Sequence, residues 1–152
     1  MGEINNTEEV VYNPDATMLN NTVVENKPKG TKYSTESIHI YHTDFFEAQP
    51  DEAPFEAWYD RAALVALPSS MRQAYVEQLC NLTSKGSKGL MVTFDYPQNE
   101  MQGPPFALPD SEVESLFSKH FHVQRIQWSD LLEEEQRDLS RCSLSVFVLT
   151  RR

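Results

Sequence analysis

The chain has 152 residues, of which 39% are hydrophobic and 24% are charged, and its formal net charge is -10. This length and composition suit one domain with a modest core. A surplus of acidic residues opposes phosphate backbones and anionic lipid, so the sequence predicts no nucleic-acid partner. No apolar run approaches the length of a membrane span, and the polar, acidic N-terminus is unlike a signal peptide, so we expect no membrane segment and no secretion.

The two cysteines, Cys80 and Cys142, stand apart from each other and from any ligand motif. Neither belongs to a C-x-x-C pair, and the four histidines form no zinc-ligand spacing with them, so no metal site is predicted. Two unpaired thiols are typical of a reducing compartment, which predicts a cytoplasmic protein.

Residues 1–37 differ from the rest of the chain and are predicted to be a mostly irregular N-terminal segment. They are rich in Asn, Thr, Glu and Lys, and their apolar residues come in isolated pairs. Pro14, Pro28 and Gly30 interrupt any regular pattern. The alternative is a short strand at residues 9–12 or 22–24.

Residues 38–152 alternate between apolar strands and helical patterns and are predicted to form one domain. Helices alternating with strands are typical of an α/β fold with a mainly parallel sheet. The last two strands follow one another after a short link, which predicts an antiparallel C-terminal pair at the sheet edge. In chain order we expect strands at 37–42 and 58–67, a helix from Ser69-Ser70 to Leu82, a strand at 90–96, a helix from Asp110 or Ser111, and strands at 123–128 and 143–150.

Both predicted helices have the spacing of a capping box at their start. Ser70 with Gln73, and Ser111 with Glu114, place a hydroxyl three residues before an acid or amide. The apolar spacing then predicts the inner faces, which are Met71, Ala74, Tyr75, Gln78, Leu79 and Leu82 in the first helix, and Val113, Leu116, Phe117 and Phe121 in the second.

Three candidate ligand sites lie beside the predicted strands, because ligands of open α/β sheets bind beyond the carboxyl ends of the strands. Asp44-Phe45-Phe46 follows the first strand, and Asp60-Arg61 lies near the start of the second. Asp95-Tyr96 ends the third strand, and Gly103-Pro104-Pro105-Phe106 comes shortly after it. Each has a structural alternative: an ion pair at a strand boundary for Asp60-Arg61, a stiff loop for residues 103–106, and core packing for the phenylalanines.

No catalytic residue is predicted, since there is no G-x-S-x-G elbow, no Walker-type phosphate loop and no H-E-x-x-H.

Several of these segments together resemble one family. In order they are DFF (residues 44–46), YDRAALVALP (59–68), MVTFDY (91–96), GPPF (103–106) and PDSEV (109–113). In this combination the chain is similar to the thiopurine S-methyltransferases of bacterial type over residues 38–152. The resemblance implies a class I methyltransferase fold, Rossmann-like, and methyl transfer from S-adenosylmethionine to a thiol, thione or heavier chalcogen.

The resemblance also implies site residues. Asp44 and Phe45 would lie beside the adenine of S-adenosylmethionine, and Arg61 would lie in the cofactor site. The loop formed by Gly103, Pro104, Pro105 and Phe106 would border the small-molecule acceptor. Arg61 could pair with a cofactor carboxylate or polarise the acceptor, because a guanidinium presents a fork of fixed donors.

The chain departs from the family pattern upstream of residue 38. Family members begin with an aromatic-rich segment, a strand, a glycine-containing turn, a helix and a second strand ending in an acid, and here Gly30 stands alone without an apolar strand before it. We therefore expect a truncated sheet in which the remaining strands pair differently, or in which the gap is filled by the N-terminal residues or by a second copy of the chain. The open readings are a shortened relative that still binds S-adenosylmethionine, a non-catalytic binding or assembly module, and a fragment, splice product or misassigned start.

Overall fold

The computed structural model describes residues 22–131 and 138–152. The chain divides into two compact units at residues 51 and 52. In the described parts of both units, no helix is long and apolar enough to cross a membrane. The division lies downstream of residue 37, where the composition of the sequence changes.

The first unit is a three-stranded antiparallel meander. Its strands are β1 (Val23–Lys27), β2 (Gly30–Ser34) and β3 (His39–Thr43), in that spatial order. A 3-10 helix, Phe45–Glu47, follows β3. The short strand suggested at residues 22–24 is present in β1, but β2 lies in a stretch expected to be irregular, so that expectation was wrong there.

The second unit contains a four-stranded sheet with two helices. In chain order its elements are β4 (Phe55–Asp60), α1 (Ser69–Leu82), β5 (Thr83–Asp95), α2 (Asp110–Phe117), β6 (Phe121–Asp130) and β7 (Ser143–Arg151). The spatial order is β4-β5-β7-β6. The α/β class is therefore confirmed, as is the antiparallel C-terminal pair of β6 and β7.

The prediction of a mainly parallel sheet was wrong, because only β4 and β5 pair in parallel among the three pairings of this sheet. β5 and β6 run in the same direction, as their connecting helix α2 requires. They are not neighbours, however, since β7 lies between them and is antiparallel to both.

β4 ends earlier than the sequence predicts. The expected strand at 58–67 stops at Asp60, and the apolar run after it forms a turn and a 3-10 helix, Leu64–Ala66, whose Leu64 and Val65 are buried. Asp60 is the cause, because its carboxylate accepts the backbone N–H groups of Ala63 at 2.8 Å and Leu64 at 3.1 Å. The Asp60-Arg61 pair thus lies at the carboxyl end of β4 and not at its start.

Both helices begin directly after a proline, and the predicted capping boxes are absent. Pro68 and Pro109 occupy the N-cap positions of α1 and α2, and neither helix has a side-chain cap. Each helix therefore starts two residues earlier than a cap at Ser70 or Ser111 would require, and these serines lie within the first turn. The buried face of α1 is also turned from the predicted one: Met71 and Ala74 are exposed, whereas Arg72, Tyr75, Val76, Gln78 and Leu79 are buried.

Both helices pack on one face of the sheet. Tyr75 of α1 donates a hydrogen bond to Asp60, and Phe117 of α2 meets Phe121 edge to face at 5.6 Å. On this face Met91 of β5 and Phe147 of β7 are register partners and fully buried. The opposite face is more open, and the register partners Tyr59 and Leu90 there are 61% and 39% exposed.

Candidate functional site

A cavity of the second unit lies at the carboxyl end of β5. Its volume is about 830 Å³. This is the sheet edge at which ligands of open α/β sheets bind. The lining residues come from the start of α1, the end of β5, the following loop, the start of α2 and the segment before β7: Pro68, Ser69, Arg72, Asp95, Tyr96, Gln98, Gln102, Phe106, Ala107, Pro109, Glu112 and Arg141.

The loop between β5 and α2 is held in place by hydrogen bonds within itself. The Tyr96 hydroxyl donates to the Pro105 carbonyl at 2.6 Å. The Gln98 amide donates to the Met101 carbonyl at 2.7 Å and accepts the Ala107 N–H at 2.9 Å. These contacts fix the wall of the cavity before any ligand arrives.

Gly103 and Phe106 position the Gly-Pro-Pro-Phe part of this loop. Gly103 has φ of +82°, and a Cβ there would lie 2.7 Å from the Phe106 ring, so only glycine fits without strain. The Phe106 N–H donates to the Val65 carbonyl at 2.6 Å, which links the loop to the 3-10 helix after β4. Phe106 lines the cavity, whereas Gly103, Pro104 and Pro105 do not.

Arg72 supports the cavity from α1. It is 2% exposed, and each nitrogen of its guanidinium donates to the protein. Nε donates to the Leu67 carbonyl at 3.2 Å, Nη2 to the Ala107 carbonyl at 3.1 Å, and Nη1 to the Glu112 carboxylate at 2.7 Å. A buried guanidinium with all its nitrogens engaged ties α1, the loop and α2 together.

Asp95 and Arg141 form a second ion pair on the cavity wall. Arg141 Nη1 donates to Asp95 Oδ2, and the carboxylate raises the pKa of the Arg141 guanidinium above its ordinary value. Both residues also border a smaller cavity of about 440 Å³. The smaller cavity is lined by Asp95, Pro109, Asp110, Ser111, Trp128, Asp130, Arg141, Cys142 and Ser143.

The structure separates the two members of the Asp60-Arg61 motif. Asp60 is 4% exposed, and its carboxylate is occupied by backbone N–H groups and by the Tyr75 hydroxyl. Arg61 is exposed. Within residues 22–131 and 138–152 the two form no ion pair, so the alternative of a boundary ion pair was wrong. Arg61 lies at the carboxyl end of β4 but does not line either of the two cavities described above.

Asp44 and Phe45 belong to the first unit. Asp44 caps the 3-10 helix there, since its Oδ1 accepts the Phe46 N–H at 2.9 Å, and Phe45 packs edge to face on Phe46. A cavity of about 240 Å³ in this unit is lined by Glu47 of the same helix, and Asp44 and Phe45 do not line it.

Two arginines of the large cavity were missed from the sequence. Arg72 was not among the residues predicted for the inner face of its helix, because apolar spacing selects hydrophobic residues for that face. Arg141 follows an acidic segment that carries no motif. One sequence feature could have indicated both arginines: Arg72 lies in the helix that follows β4 and Arg141 lies just before β7, so each is near a strand end in the sequence. Asp95, Tyr96 and Phe106, by contrast, were expected near one another, and all three line this cavity.

An α/β sheet with a cavity beyond the end of its parallel strands is the arrangement of ligand-binding α/β proteins. The sequence matches the family model described as thiopurine S-methyltransferase over residues 8–152. The chain therefore belongs to the thiopurine S-methyltransferase family. The match begins upstream of residue 38, so the family likeness extends further toward the N-terminus than the sequence motifs indicated.

Relatives with the same description come from several bacteria. The chain is 41% identical over 111 residues to the thiopurine S-methyltransferase of Shewanella pealeana, covering 72% of this chain and 51% of the relative. It is 40% identical over 129 residues to that of Nitrosospira multiformis, covering 82% and 59%. The chain thus spans about half the length of the curated relatives it matches.

The fold is also similar to a solved structure, the [4+2]-cyclase SpnF. The TM-score is 0.50 at 9% sequence identity, with 72% of this chain and 54% of the cyclase covered. At this identity the likeness concerns the fold alone.

Proposed function

We propose that the chain acts as an S-adenosylmethionine-dependent S-methyltransferase on a small thiol, thione or heavier chalcogen. The observation that carries the proposal is the family match over residues 8–152, together with about 40% identity to relatives named thiopurine S-methyltransferase. Family membership favours this activity over the alternative of a non-catalytic binding or assembly module.

The residues present fit such a cofactor in part. Arg61 offers an exposed guanidinium at the carboxyl end of β4, with no ion pair among the described residues, and it can bind a carboxylate or polarise the acceptor. Asp44 keeps one carboxylate oxygen outside its capping bond, and Phe45 is half-buried beside it. We propose that Asp44 and Phe45 lie beside the adenine when the cofactor is bound.

S-adenosylmethionine supplies an electrophilic methyl group on a sulfonium. In the transfer, a lone pair of the acceptor sulfur forms a bond to the methyl carbon, the sulfonium C–S bond breaks, and the thiol proton leaves to solvent. The products are a thioether and S-adenosylhomocysteine, so no covalent enzyme intermediate is needed. The protein's part is to hold the acceptor in line, and the pinned wall of Tyr96, Gln98 and Phe106 is suited to this role.

Titration with S-adenosylmethionine tests the proposal. A ligand that binds the native state alone raises the melting temperature with its concentration. We expect such a rise, and a matching heat of binding in calorimetry. A titration with no heat at millimolar cofactor would overturn the proposed activity for this chain.

We further propose that the chain forms a homo-oligomer in the cytoplasm. Within the described residues β4 pairs with β5 alone, so its other edge is free, and Tyr59 beside that edge is 61% exposed. Light scattering of the Tyr59→Lys variant should then show a smaller species than wild type. Ile126→Lys, on the far strand β6 and 53% exposed, is the matched control. A wild-type monomer would refute this assembly.

A further inference from the structure

We propose that Arg141 selects acceptors carrying a carboxylate or similar oxyanion near their sulfur, by donating hydrogen bonds to that anion. The inference rests on the proposed function, since it names the acceptor class of the same cavity. Arg141 would be a specificity-determining residue, and it belongs to none of the sequence motifs of the site.

The position of Arg141 supports this role. It lines the large cavity, as Phe106 does, and its side chain is 55% exposed. One of its nitrogens, Nη1, donates to Asp95. Within the described residues, the other donors of its guanidinium have no protein partner, so they face a ligand-sized space with unused hydrogen-bonding capacity.

The other arginine of the cavity cannot take this role. Arg72 is almost fully buried, and its three nitrogens donate to Leu67, Ala107 and Glu112. Recruiting Arg72 to a ligand would leave those carbonyls or the Glu112 carboxylate without their partner, which costs more than the new bond returns. Arg72 therefore builds the wall, and Arg141 remains available to the ligand.

Asp95 orients Arg141 and also offsets its charge. Because the Arg141–Asp95 pair has no net charge, it attracts anions only weakly at a distance. Recognition therefore depends on the directed N–H donors of the Arg141 guanidinium. The smaller cavity is lined by three carboxylates, from Asp95, Asp110 and Asp130, and by one arginine, whereas two carboxylates and two arginines line the large cavity, so the large cavity is the less unfavourable of the two for an anion. The anionic group is thus placed on the side of the large cavity, where Phe106 offers an apolar wall for the rest of the acceptor.

Binding of a matched pair of acceptors tests the proposal without any turnover. The probes are 4-mercaptophenylacetate and its neutral primary amide, measured by calorimetry in the absence of S-adenosylmethionine. A charge-assisted hydrogen bond exceeds a neutral one enough to give about a tenfold preference for the carboxylate in the wild-type protein. We expect Arg141→Gln to abolish that preference and Arg141→Lys to retain part of it.

Arg125→Gln is the control variant. Arg125 is also half-exposed and paired with an aspartate, Asp110, but it lines neither of the two cavities. It should keep the full preference. Equal wild-type affinity for the two probes, or a preference that survives in Arg141→Gln, would overturn the role of Arg141; the first outcome does not depend on the folding of any variant. Failure of the proposed activity would instead appear in the cofactor titration, which does not use these probes.

Discussion

The Tyr75 hydroxyl of α1 donates a 2.7 Å hydrogen bond to the Asp60 carboxylate at the end of β4. Burial, together with the negative charge of Asp60, raises the pKa of the Tyr75 phenol above its ordinary value, so the hydroxyl remains a donor throughout the physiological range. The same carboxylate accepts two backbone N–H groups, and one buried side chain therefore ends a strand, shapes the next turn and anchors a helix.

We expect Asp60→Asn to lower the free energy of unfolding by about 1–3 kcal/mol, because an amide cannot accept all three of these bonds and leaves a buried donor unsatisfied. Tyr75→Phe removes one bond and leaves the backbone contacts intact, so its loss should be smaller, about 1 kcal/mol. Urea unfolding of both variants provides the measurement. Wild-type stability in Asp60→Asn would show that the carboxylate does not organise this junction.

Arg61→Ala should weaken S-adenosylmethionine binding by about tenfold or more, the value of a lost charge-assisted contact. Because Arg61 is exposed, the free energy of unfolding of the unliganded protein should change by no more than about 0.5 kcal/mol. Calorimetry gives the affinity, and Arg125→Ala controls for loss of a surface charge. Unchanged affinity in Arg61→Ala would remove this residue from the cofactor site.

Gly89→Ala should be more destabilising than Gly86→Ala. A Cβ at Gly89 would overlap the ring of Trp58, which packs on Phe121 at 6.2 Å, so the ring must shift at a cost of about 3 kcal/mol, the upper end for an overpacked site. Gly86 has φ of +82° but open space around it, and alanine there meets the backbone strain alone, about 1–2 kcal/mol. Thermal unfolding ranks the pair, and a milder effect at Gly89 would contradict the close approach of Trp58.

The contact between Glu100 and Ser140 should make stability depend on acid pH. The Ser140 hydroxyl and N–H donate to the Glu100 carboxylate and hold the pKa of that carboxyl below its ordinary value of 4.5. A depressed pKa in the folded state means that the stabilisation is fully present above pH 4.5 and is lost as the pH falls through the lower, folded-state value.

Glu100→Gln should therefore reduce the free energy of unfolding near neutral pH and approach wild type under strongly acid conditions. Denaturant unfolding between about pH 3 and pH 7 measures the difference. If wild type and variant differ by the same amount across this range, the contact does not contribute through ionisation.

Sequence patterns predicted the bounds of α1 and β7 closely, because the pattern of each segment extends over its whole length. The patterns failed where a single side chain determines the course of the backbone, as Asp60 does after β4. The run after Asp60 is as apolar as a buried strand, and only the capture of two N–H groups by that carboxylate turns it into a 3-10 helix. The spacing of apolar residues could not reveal this, because a short apolar run is equally compatible with a buried strand and with a buried helical turn.

The sequence predicted the loop of the candidate site between β5 and α2, but it did not predict the two arginines that line the cavity. Asp95 and Phe106 flank a loop that the sequence Gly103-Pro104-Pro105 predicts. Arg72 lines this cavity from α1, and Arg141 lines it from the segment before β7. Their carboxylate partners, Glu112 and Asp95, are 40 and 46 residues away in the sequence. Contacts of that separation depend on the order of strands in the sheet, which the alternation of elements left open.

The placement of β7 between β5 and β6 has a consequence for how the chain acquires its shape on the ribosome. Phe147 and Leu149, both fully buried, emerge after the two strands that they join. Until they appear, β5 and β6 have no common neighbour, and the backbone edges that β7 later pairs with remain available to chaperones or to other nascent chains. Closure of this sheet therefore requires β7, and its efficiency should depend on the time between the synthesis of β6 and that of β7.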